Sequence, residues 1–429
     1  MAYAPCRREL ARHGSTVLAP SLALVFFAAW QNVASGQGPS QPASQPIDST
    51  DVIAEIRLQP ALRELHPQFF WFHPRVAAVP GLGKDENPLV VMTLQKHLRV
   101  SDFYSGLYYM LSRDLGQSWE GPREIPQLGW QKQPDGSIFA VADVTPGYHP
   151  QTGKVIAIGT YVYYDAQGHQ LANRPKFSQS AYAVYDPKRD EWTGWKILPL
   201  PEAEKFNLAR NACSQWLVEE DGTLLVPLYF SPNAFVPCGV TVARCRFDGN
   251  ELVYLEHGDE LHLAEGRGLV EPSLIKCAGE YFLTIRNDLR GYVTRSKDGL
   301  RWEAIRPWLF DDGTELGSYN TQQHWLVWED HLYLSYTRRG AGNDHIMRHR
   351  APLFVAKVDH TSLRVIRATE RVAVPERGVP LGNFGAAPIT EKESWLTDAE
   401  TMAFGLGPHP RGADGTVWIA RIIWRSQPK

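Results

Sequence analysis

The sequence predicts an all-β fold, a six-bladed β-propeller, and three observations point to it. The chain has 429 residues, of which 43% are hydrophobic and 11% aromatic, so it can bury a large core. Short apolar segments alternate with turns rich in Gly, Pro, Asp and Asn, whereas amphipathic helical patterns are nearly absent. These segments recur at a spacing of about 45–80 residues, as expected of four-stranded propeller blades.

Six segments are interpreted as the starts of blades. Most of them combine an apolar strand, a polar turn and a second apolar strand, which is the pattern of a β-hairpin. A β-sandwich array would also give short strands, so the pattern alone does not decide the architecture. The six segments span residues 73–81, 143–159, 210–230, 271–288, 319–339 and 383–395.

The amino terminus is typical of an exported protein. Within residues 1–36, three arginines precede a short apolar stretch that ends in small residues, as in a secretory signal peptide. Residues 37–58 are expected to be a Ser/Pro/Gln-rich linker and lead-in, and residues 59–429 the propeller. We therefore expect a secreted or periplasmic protein with no membrane span in its mature chain.

Charge and cysteine content exclude several classes of function. The formal net charge is −3 and no run of Lys or Arg occurs, so nucleic-acid binding is not expected. Cys213, Cys238, Cys245 and Cys277 fit no zinc-ribbon spacing, and we expect no metal, no cofactor and a monomer. A Cys238–Cys245 disulfide and four free thiols are both compatible with the sequence.

One octapeptide distinguishes between the candidate folds. Residues 112–119, Ser-Arg-Asp-Leu-Gly-Gln-Ser-Trp, fit the pattern S-x-D-x-G-x-[ST]-W, and residues 296–302 form a shorter, degenerate copy. The octapeptide resembles the Asp-box of the sialidase (neuraminidase) superfamily, whose members are six-bladed propellers. In such a turn the aspartate accepts backbone N–H bonds, the glycine takes a positive φ and the tryptophan packs into the blade. The box is structural, so Asp114 and Asp298 are not catalytic candidates.

The resemblance to sialidases implies a site that recognises a carboxylated sugar. Three arginines bind the carboxylate through charge-assisted bonds, an aspartate is the acid/base, and a glutamate activates a tyrosine nucleophile. A neutral tyrosine suits this role because the substrate carboxylate would repel a carboxylate nucleophile. The positions that match the clamp arginines are Arg75, Arg286 and Arg350, with Arg348 as the alternative to Arg350. Asp102 matches the acid/base, and His97 nearby could take the same role. Glu271 matches the glutamate.

Each of these matches has a structural alternative. Arg75, in Phe-His-Pro-Arg-Val, is either a clamp arginine with a displaced proline or a surface arginine at a strand start. Asp102 is either the acid/base or a solvated loop residue. Glu271 and Arg286 lie on the two strands of one predicted hairpin, where they either converge on the cavity or form a plain salt bridge.

The last predicted blade departs from the sialidase pattern. The family places its tyrosine there, whereas this chain has Phe384 in Leu-Gly-Asn-Phe-Gly. Tyr319, in Gly-Ser-Tyr-Asn, is the nearest tyrosine in similar surroundings and becomes the nucleophile candidate. His149 is a further acid/base candidate, because His149, His324 and His345 from different blades either converge in the cavity or are scattered hydrogen-bonded residues.

Two classes of function follow. The first is a secreted, exo-acting glycoside hydrolase on glycans with a carboxylated sugar, or in a variant of this class a lyase-type propeller acting on uronates. The second is a propeller that binds glycans without catalysis.

Overall fold

The fold is all-β, as the sequence predicts. A computed structural model of the protein describes residues 51–171, 176–403 and 405–425, so the expected signal peptide lies outside the described residues. Within these ranges the regular structure consists of strands and five short 3₁₀ segments, and no helix is long and apolar enough to cross a membrane. The 3₁₀ segments are Lys84–Glu86, Pro126–Leu128, Glu204–Phe206, Met347–His349 and Arg367–Thr369.

The described part of the chain contains the following strands. The first half comprises β1 (Ile53–Arg63), β2 (Phe70–Val79), β3 (Leu89–His97), β4 (Tyr108–Ser112), β5 (Glu120–Glu124), β6 (Gln131–Lys132), β7 (Ile138–His149), β8 (Lys154–Tyr164), β9 (Ser178–Asp186), β10 (Glu191–Trp192), β11 (Lys196–Ile197), β12 (Leu208–Arg210), β13 (Leu217–Val218) and β14 (Thr223–Ser231). The second half comprises β15 (Gly239–Phe247), β16 (Leu252–His257), β17 (Val270–Cys277), β18 (Glu280–Arg286), β19 (Tyr292–Ser296), β20 (Arg306–Pro307), β21 (His324–Trp328), β22 (His331–Tyr336), β23 (Leu353–Asp359), β24 (Arg364–Val365), β25 (Arg371–Val374), β26 (Gly385–Thr390), β27 (Glu393–Ala399) and β28 (Thr416–Trp424).

Hydrogen-bonded ladders connect these strands into sheets of mostly consecutive, antiparallel strands. Three sheets have the orders β2-β3-β4-β5, β17-β18-β19-β20 and β21-β22-β23-β24, the last with β25 beside β23. A larger sheet has the order β16-β15-β14-β12-β9-β8-β7-β6, in which the pairing of β12 with β9 is parallel. This parallel contact joins two groups of antiparallel strands.

The first strands of these groups pack against one another in a closed circle. Strand β2 contacts β7 and β26, β7 contacts β13, β13 contacts β17, β17 contacts β21, and β21 contacts β26. A circle of inner strands with sheets radiating from it is a propeller-like arrangement.

The two ends of the described chain pair with each other in one sheet. In the remaining sheet, β28 lies between β27 and β1, with register from Ile53 opposite Trp424 to Arg63 opposite Thr416. Residues 53–58, the end of the predicted linker and lead-in, thus form the first part of β1. An apolar residue at Ile53 and another at Ile56 let this stretch cover the free edge that β28 would otherwise expose.

The predicted Asp-box turns are organised by their aspartates. Asp114 accepts the backbone N–H and the hydroxyl of Ser118, and Asp298 accepts the backbone N–H groups of Leu300 and Arg301. Gly116 has a φ of 78°, and a Cβ there would lie 3.0 Å from the buried ring of Trp395. Glycine is therefore required for both conformation and space.

All four described cysteines are free thiols, so a Cys238–Cys245 disulfide is not formed. Cys245 lies within β15 and is fully buried in an apolar cluster, whereas Cys238 precedes that strand and pairs with Gly268. The two cysteines are thus held apart by the sheet.

Candidate active site

A cavity of about 690 Å³ is lined by residues of several strands and of the segments that connect strands. Its lining is dominated by charged side chains, and six arginines face four carboxylates. The arginines are Arg99, Arg210, Arg267, Arg286, Arg348 and Arg350, and the carboxylates are Asp102, Asp143, Glu271 and Asp288. The excess of positive charge favours an anionic ligand.

Several residues around the cavity share an unusual backbone conformation. His73, Asp143, Cys213, Glu271 and Asn320 have φ values between 45° and 59°. Non-glycine residues rarely adopt this left-handed conformation, which costs of order 1–3 kcal/mol and clusters at functional sites. The ladders of β2, β7 and β17 shift register at His73, Asp143 and Glu271, as β-bulges do, and such a bulge re-aims a side chain. A β-bulge with a left-handed residue thus recurs in the strands β2, β7 and β17.

The acidic and basic members of the predicted β17–β18 hairpin meet in the cavity. Arg286 Nη1 lies 2.5 Å from Glu271 Oε1, and Arg286 Nη2 donates to Asn320 Oδ1 at 2.6 Å. Glu271 Oε2 is buried and has no hydrogen-bond partner among the described residues. One carboxylate oxygen of Glu271 is thus available for a ligand or a water molecule.

Arg350 lies beside this pair, and no carboxylate among the described residues neutralises its positive charge. Its guanidinium donates from Nη2 to the backbone oxygen of Asn320 at 2.6 Å, and Arg350 has no ion pair within the described part of the chain. Burial, together with the positive charges of Arg286 and Arg348, lowers the pKa of Arg350 to about 9. An incoming carboxylate would stabilise this charge.

Asp102 and the aromatic residues around it form another part of the lining. Asp102 lies in the turn between β3 and β4, and its Oδ1 accepts the hydroxyl of Tyr104 at 3.2 Å. Its backbone oxygen accepts the hydroxyl of Tyr164 at 2.8 Å, which holds the turn against β8. Burial lowers the pKa of His97 to about 4, so His97 is neutral at pH 7 and is not a general acid there.

Three buried groups at the cavity were not predicted as site residues. His73 Nε2 lies 3.0 Å from Asp143 Oδ1, and the Cys213 thiol donates to the same oxygen at 3.3 Å. Burial, reinforced by the negative charge of Glu271, raises the pKa of Asp143 to about 6. Burial also raises the pKa of the Cys213 thiol. A signal was present, since His73, Asp143 and Glu271 are the first residues of three predicted blade starts.

Arg75 lies behind the cavity rather than on its lining. It is 2% exposed and donates to the backbone oxygens of Val144 at 3.4 Å and Asn383 at 3.5 Å. The bulge at His73 changes the direction of β2 just before Arg75, so this arginine packs between inner strands. Among the predicted clamp residues, the lining therefore contains Arg286, Arg348 and Arg350.

Tyr319 and His149 also lie outside the lining of the cavity. The hydroxyl of Tyr319 contacts His349 Nδ1 at 2.6 Å, and the following residue, Asn320, faces the cavity instead. His149 is buried, with Nε2 2.9 Å from the oxygen of Gly222 and Nδ1 3.0 Å from the hydroxyl of Thr152. Both rings are held by local contacts away from the charged lining.

The other histidines of the predicted cluster are likewise separate. His324 Nδ1 contacts Ser273 Oγ at 2.8 Å and its ring packs edge-on against Phe384, which is fully buried. His345 pairs with Glu376. The interpretation of scattered, hydrogen-bonded histidines therefore holds for these three.

Comparison with known proteins informs the fold. No protein-family model and no curated protein matches this chain. Solved structures do match. A protein of unknown function from Dyadobacter fermentans has a TM-score of 0.62 at 14% identity, over 87% of this chain and 100% of that one.

Two solved sialidases align with the same part of the chain. The Trypanosoma rangeli sialidase in complex with the inhibitor DANA gives a TM-score of 0.55 at 14% identity, covering 83% of this chain and 55% of that one. The NanB sialidase from Streptococcus pneumoniae gives 0.57 at 11% identity, covering 86% and 70%. The fold is sialidase-like. This chain spans little more than half the length of the Trypanosoma enzyme.

Proposed function

We propose that this protein is a secreted carbohydrate-active enzyme that binds an acidic sugar in the charged cavity and hydrolyses its glycosidic bond. The observation that carries the proposal is the pair of adjacent guanidinium groups of Arg286 and Arg350, of which Arg350 lacks a carboxylate partner in the described structure. A buried, unneutralised arginine beside another arginine favours a planar anion that accepts bonds from both. The sialidase-like fold supports a sugar carboxylate as that anion.

The lining supplies groups for acid–base chemistry. We assign Asp102 as the acid that protonates the leaving oxygen, because it is exposed at the rim where a leaving group would point. We assign Glu271 as the base, because its unpartnered Oε2 can accept a proton from an attacking water. A general acid and a general base on opposite sides of a sugar suffice for hydrolysis without a covalent intermediate.

A lyase acting on a uronate is the second candidate function. One observation favours it: Phe384 has no hydroxyl, whereas Tyr104 lies in the cavity beside the rings of His73 and His97. A neutral histidine can accept the proton that an elimination removes from the carbon next to the carboxylate, and the tyrosine hydroxyl can donate a proton to the leaving oxygen. The arginine pair would then neutralise the uronate carboxylate.

The remaining features of the proposal concern architecture and export. We propose six blades, in which the larger sheet counts as two blades joined at the parallel β9–β12 contact. We also propose that the turns at residues 112–119 and 296–302 are Asp-boxes, and that residues 1–36 direct secretion.

The proposal is tested by a panel of sialosides and uronate-containing oligosaccharides, with reducing-sugar release and ultraviolet absorbance followed together. A hydrolase releases sugar without absorbance, whereas a lyase produces an absorbing unsaturated uronate. Arg350→Ala should weaken binding of the acidic sugar roughly 10–100-fold, since a hydrogen bond to a charged group contributes about 1.5–3 kcal/mol. Arg189→Ala, at an exposed arginine, is the matched control. Equal binding by both variants and the wild type would refute the carboxylate assignment.

A further inference from the structure

Three metal-ligand side chains from three successive inner segments converge beside the cavity. The ligand atoms of His73, Asp143 and Cys213 all lie within 4.8 Å of one another, and no other group of this kind occurs in the described ranges. His73 lies on β2, Asp143 on β7 and Cys213 just after β12. Local spacing does not predict this group, because Asp143 and Cys213 are 70 residues apart in the chain.

We propose that His73, Asp143 and Cys213 form a binding site for a divalent transition metal, with zinc as the preferred ion. Imidazole nitrogen, carboxylate oxygen and thiolate sulfur are the donors that zinc takes in proteins. Three protein ligands with a further position open to a cavity are the pattern of zinc sites that bind water or substrate.

The distances are those that such a site needs before the ion enters. Zinc–ligand bonds of about 2.0–2.3 Å in a tetrahedron place the ligand atoms roughly 3.2–3.8 Å apart. The observed separations from Asp143 Oδ1 are 3.0 Å to His73 Nε2 and 3.3 Å to Cys213 Sγ. Movements of a few tenths of an ångström would bring these two separations into that range, and the third, between His73 and Cys213, is at most 4.8 Å.

The backbone holds the three ligands rigidly. All three residues have the left-handed conformation described above, and the backbone N–H of Cys213 donates to the oxygen of Asp143 at 3.0 Å. His73 is 2% exposed, as is Cys213, whereas the side chain of Asp143 is 22% exposed. Asp143 and Cys213 line the cavity, so the open position would face it.

The proton balance of binding is simple. In the metal-free protein His73 Nε2–H and the Cys213 thiol both donate to Asp143. Metal binding replaces these two hydrogen bonds, releases the thiol proton to solvent and requires the imidazole proton to move from Nε2 to Nδ1. That nitrogen has no hydrogen-bond partner among the described residues, so no contact is broken there.

Metal binding is tested on the full chain, stripped with a chelator and titrated with Co²⁺. We expect one Co²⁺ per chain with a thiolate-to-cobalt charge-transfer band, displacement of that band by Zn²⁺, and a higher Tm in Zn²⁺. Cys213→Ser should lose the band and the Tm increase. Cys238→Ser, which removes a half-buried thiol outside the cavity, should keep both.

If Cys213→Ser does not fold, Asp143→Asn is the alternative test of metal binding. This variant keeps the Cys213 thiol and the size of the side chain at position 143 but removes the carboxylate charge. It should weaken Zn²⁺ binding at least tenfold. Absence of the band in the wild type, or a band that persists in Cys213→Ser, would overturn the proposal. Arg350→Ala should keep the cobalt band while its binding of the acidic sugar is weakened. The band therefore tests the metal site, and sugar binding independently tests the proposed function.

Discussion

Arg286 and Arg350 are both held by Asn320, one through its side chain and the other through its backbone. Arg286 Nη2 donates to Asn320 Oδ1 and Arg350 Nη2 donates to the Asn320 backbone oxygen, each at 2.6 Å. A single residue in a left-handed conformation therefore sets the spacing of two guanidinium groups from different sheets. This spacing determines how a carboxylate can be bound by both.

Replacing Asn320 should separate its two roles. Asn320→Gly keeps the positive φ and the backbone oxygen but removes the contact to Arg286, so we expect roughly tenfold weaker binding of an acidic monosaccharide by calorimetry. Asn320→Ala also loses the amide and adds conformational strain of about 1 kcal/mol, measurable by urea unfolding. Sugar binding that is unchanged in both variants would show that Asn320 does not position the arginines.

Replacing Glu271 should distinguish catalysis from charge neutralisation. Glu271→Gln keeps the shape of the side chain but removes its basic oxygen and its ion pair with Arg286. We expect turnover to fall by at least about 100-fold, within the usual contribution of a general base. Binding of the acidic sugar should be unchanged or tighter, because Arg286 loses its internal competitor. Full turnover with tighter binding would identify Glu271 as a structural partner of Arg286 only.

Removing Asp114 should affect stability and not the cavity. Asp114→Ala removes the acceptor of the backbone N–H and hydroxyl of Ser118, which are exposed to water, so we expect a loss of about 0.5–1.5 kcal/mol in the free energy of unfolding. Ser118→Ala removes one of these bonds and should cost less. Binding of the acidic sugar to the folded fraction should not change. A loss of binding without a loss of stability would contradict the structural role.

Acidification should destabilise the fold partly through His97. Its pKa of about 4 lies below the usual value near 6.5, so the unfolded chain binds the proton more readily between these two pH values. The free energy of unfolding should therefore fall as the pH falls from about 6.5 to 4. The groups that face His97 are Asp102, which opposes the shift, and Arg99, which adds to it, and the neutral ring of Tyr104 packs against it.

His97→Gln should reduce the slope of the free energy of unfolding against pH, because the unfolded variant can bind one proton fewer than the unfolded wild type. Each proton contributes at most about 1.4 kcal/mol per pH unit, and the slope is measured from urea unfolding at several pH values. His73 and His324 also have lowered pKa values through burial, so part of the slope should remain in the variant. An identical slope in wild type and variant would show that His97 is protonated equally in both states.

Sequence reasoning succeeded where the relevant residues are close in the chain. Glu271 and Arg286 belong to one hairpin, and local spacing was enough to predict that their side chains meet. The all-β class followed from the alternation of short apolar segments and turns. Both inferences need only the geometry of neighbouring strands.

Sequence reasoning failed where a single backbone angle reverses the alternation of side chains. Tyr319 was predicted to face the cavity, yet the left-handed conformation at Asn320 places that neighbour there instead. The bulge at His73 likewise moves Arg75 behind the lining. His73, Asp143 and Cys213 come together only once the order of the inner strands is known, and no spacing rule in the sequence contains that order.

The insertion of β28 between β1 and β27 has a consequence for how the chain is synthesised. Strand β1 leaves the ribosome early but finds its hydrogen-bonding partner only when residues 416–424 have been translated. Until then β1 is an unpaired nascent segment, and the sheet that it shares with β26, β27 and β28 is incomplete. The early part of the chain must therefore remain available for pairing until residues 416–424 have been made, and the timing of this last step is set by the far end of the propeller-like arrangement.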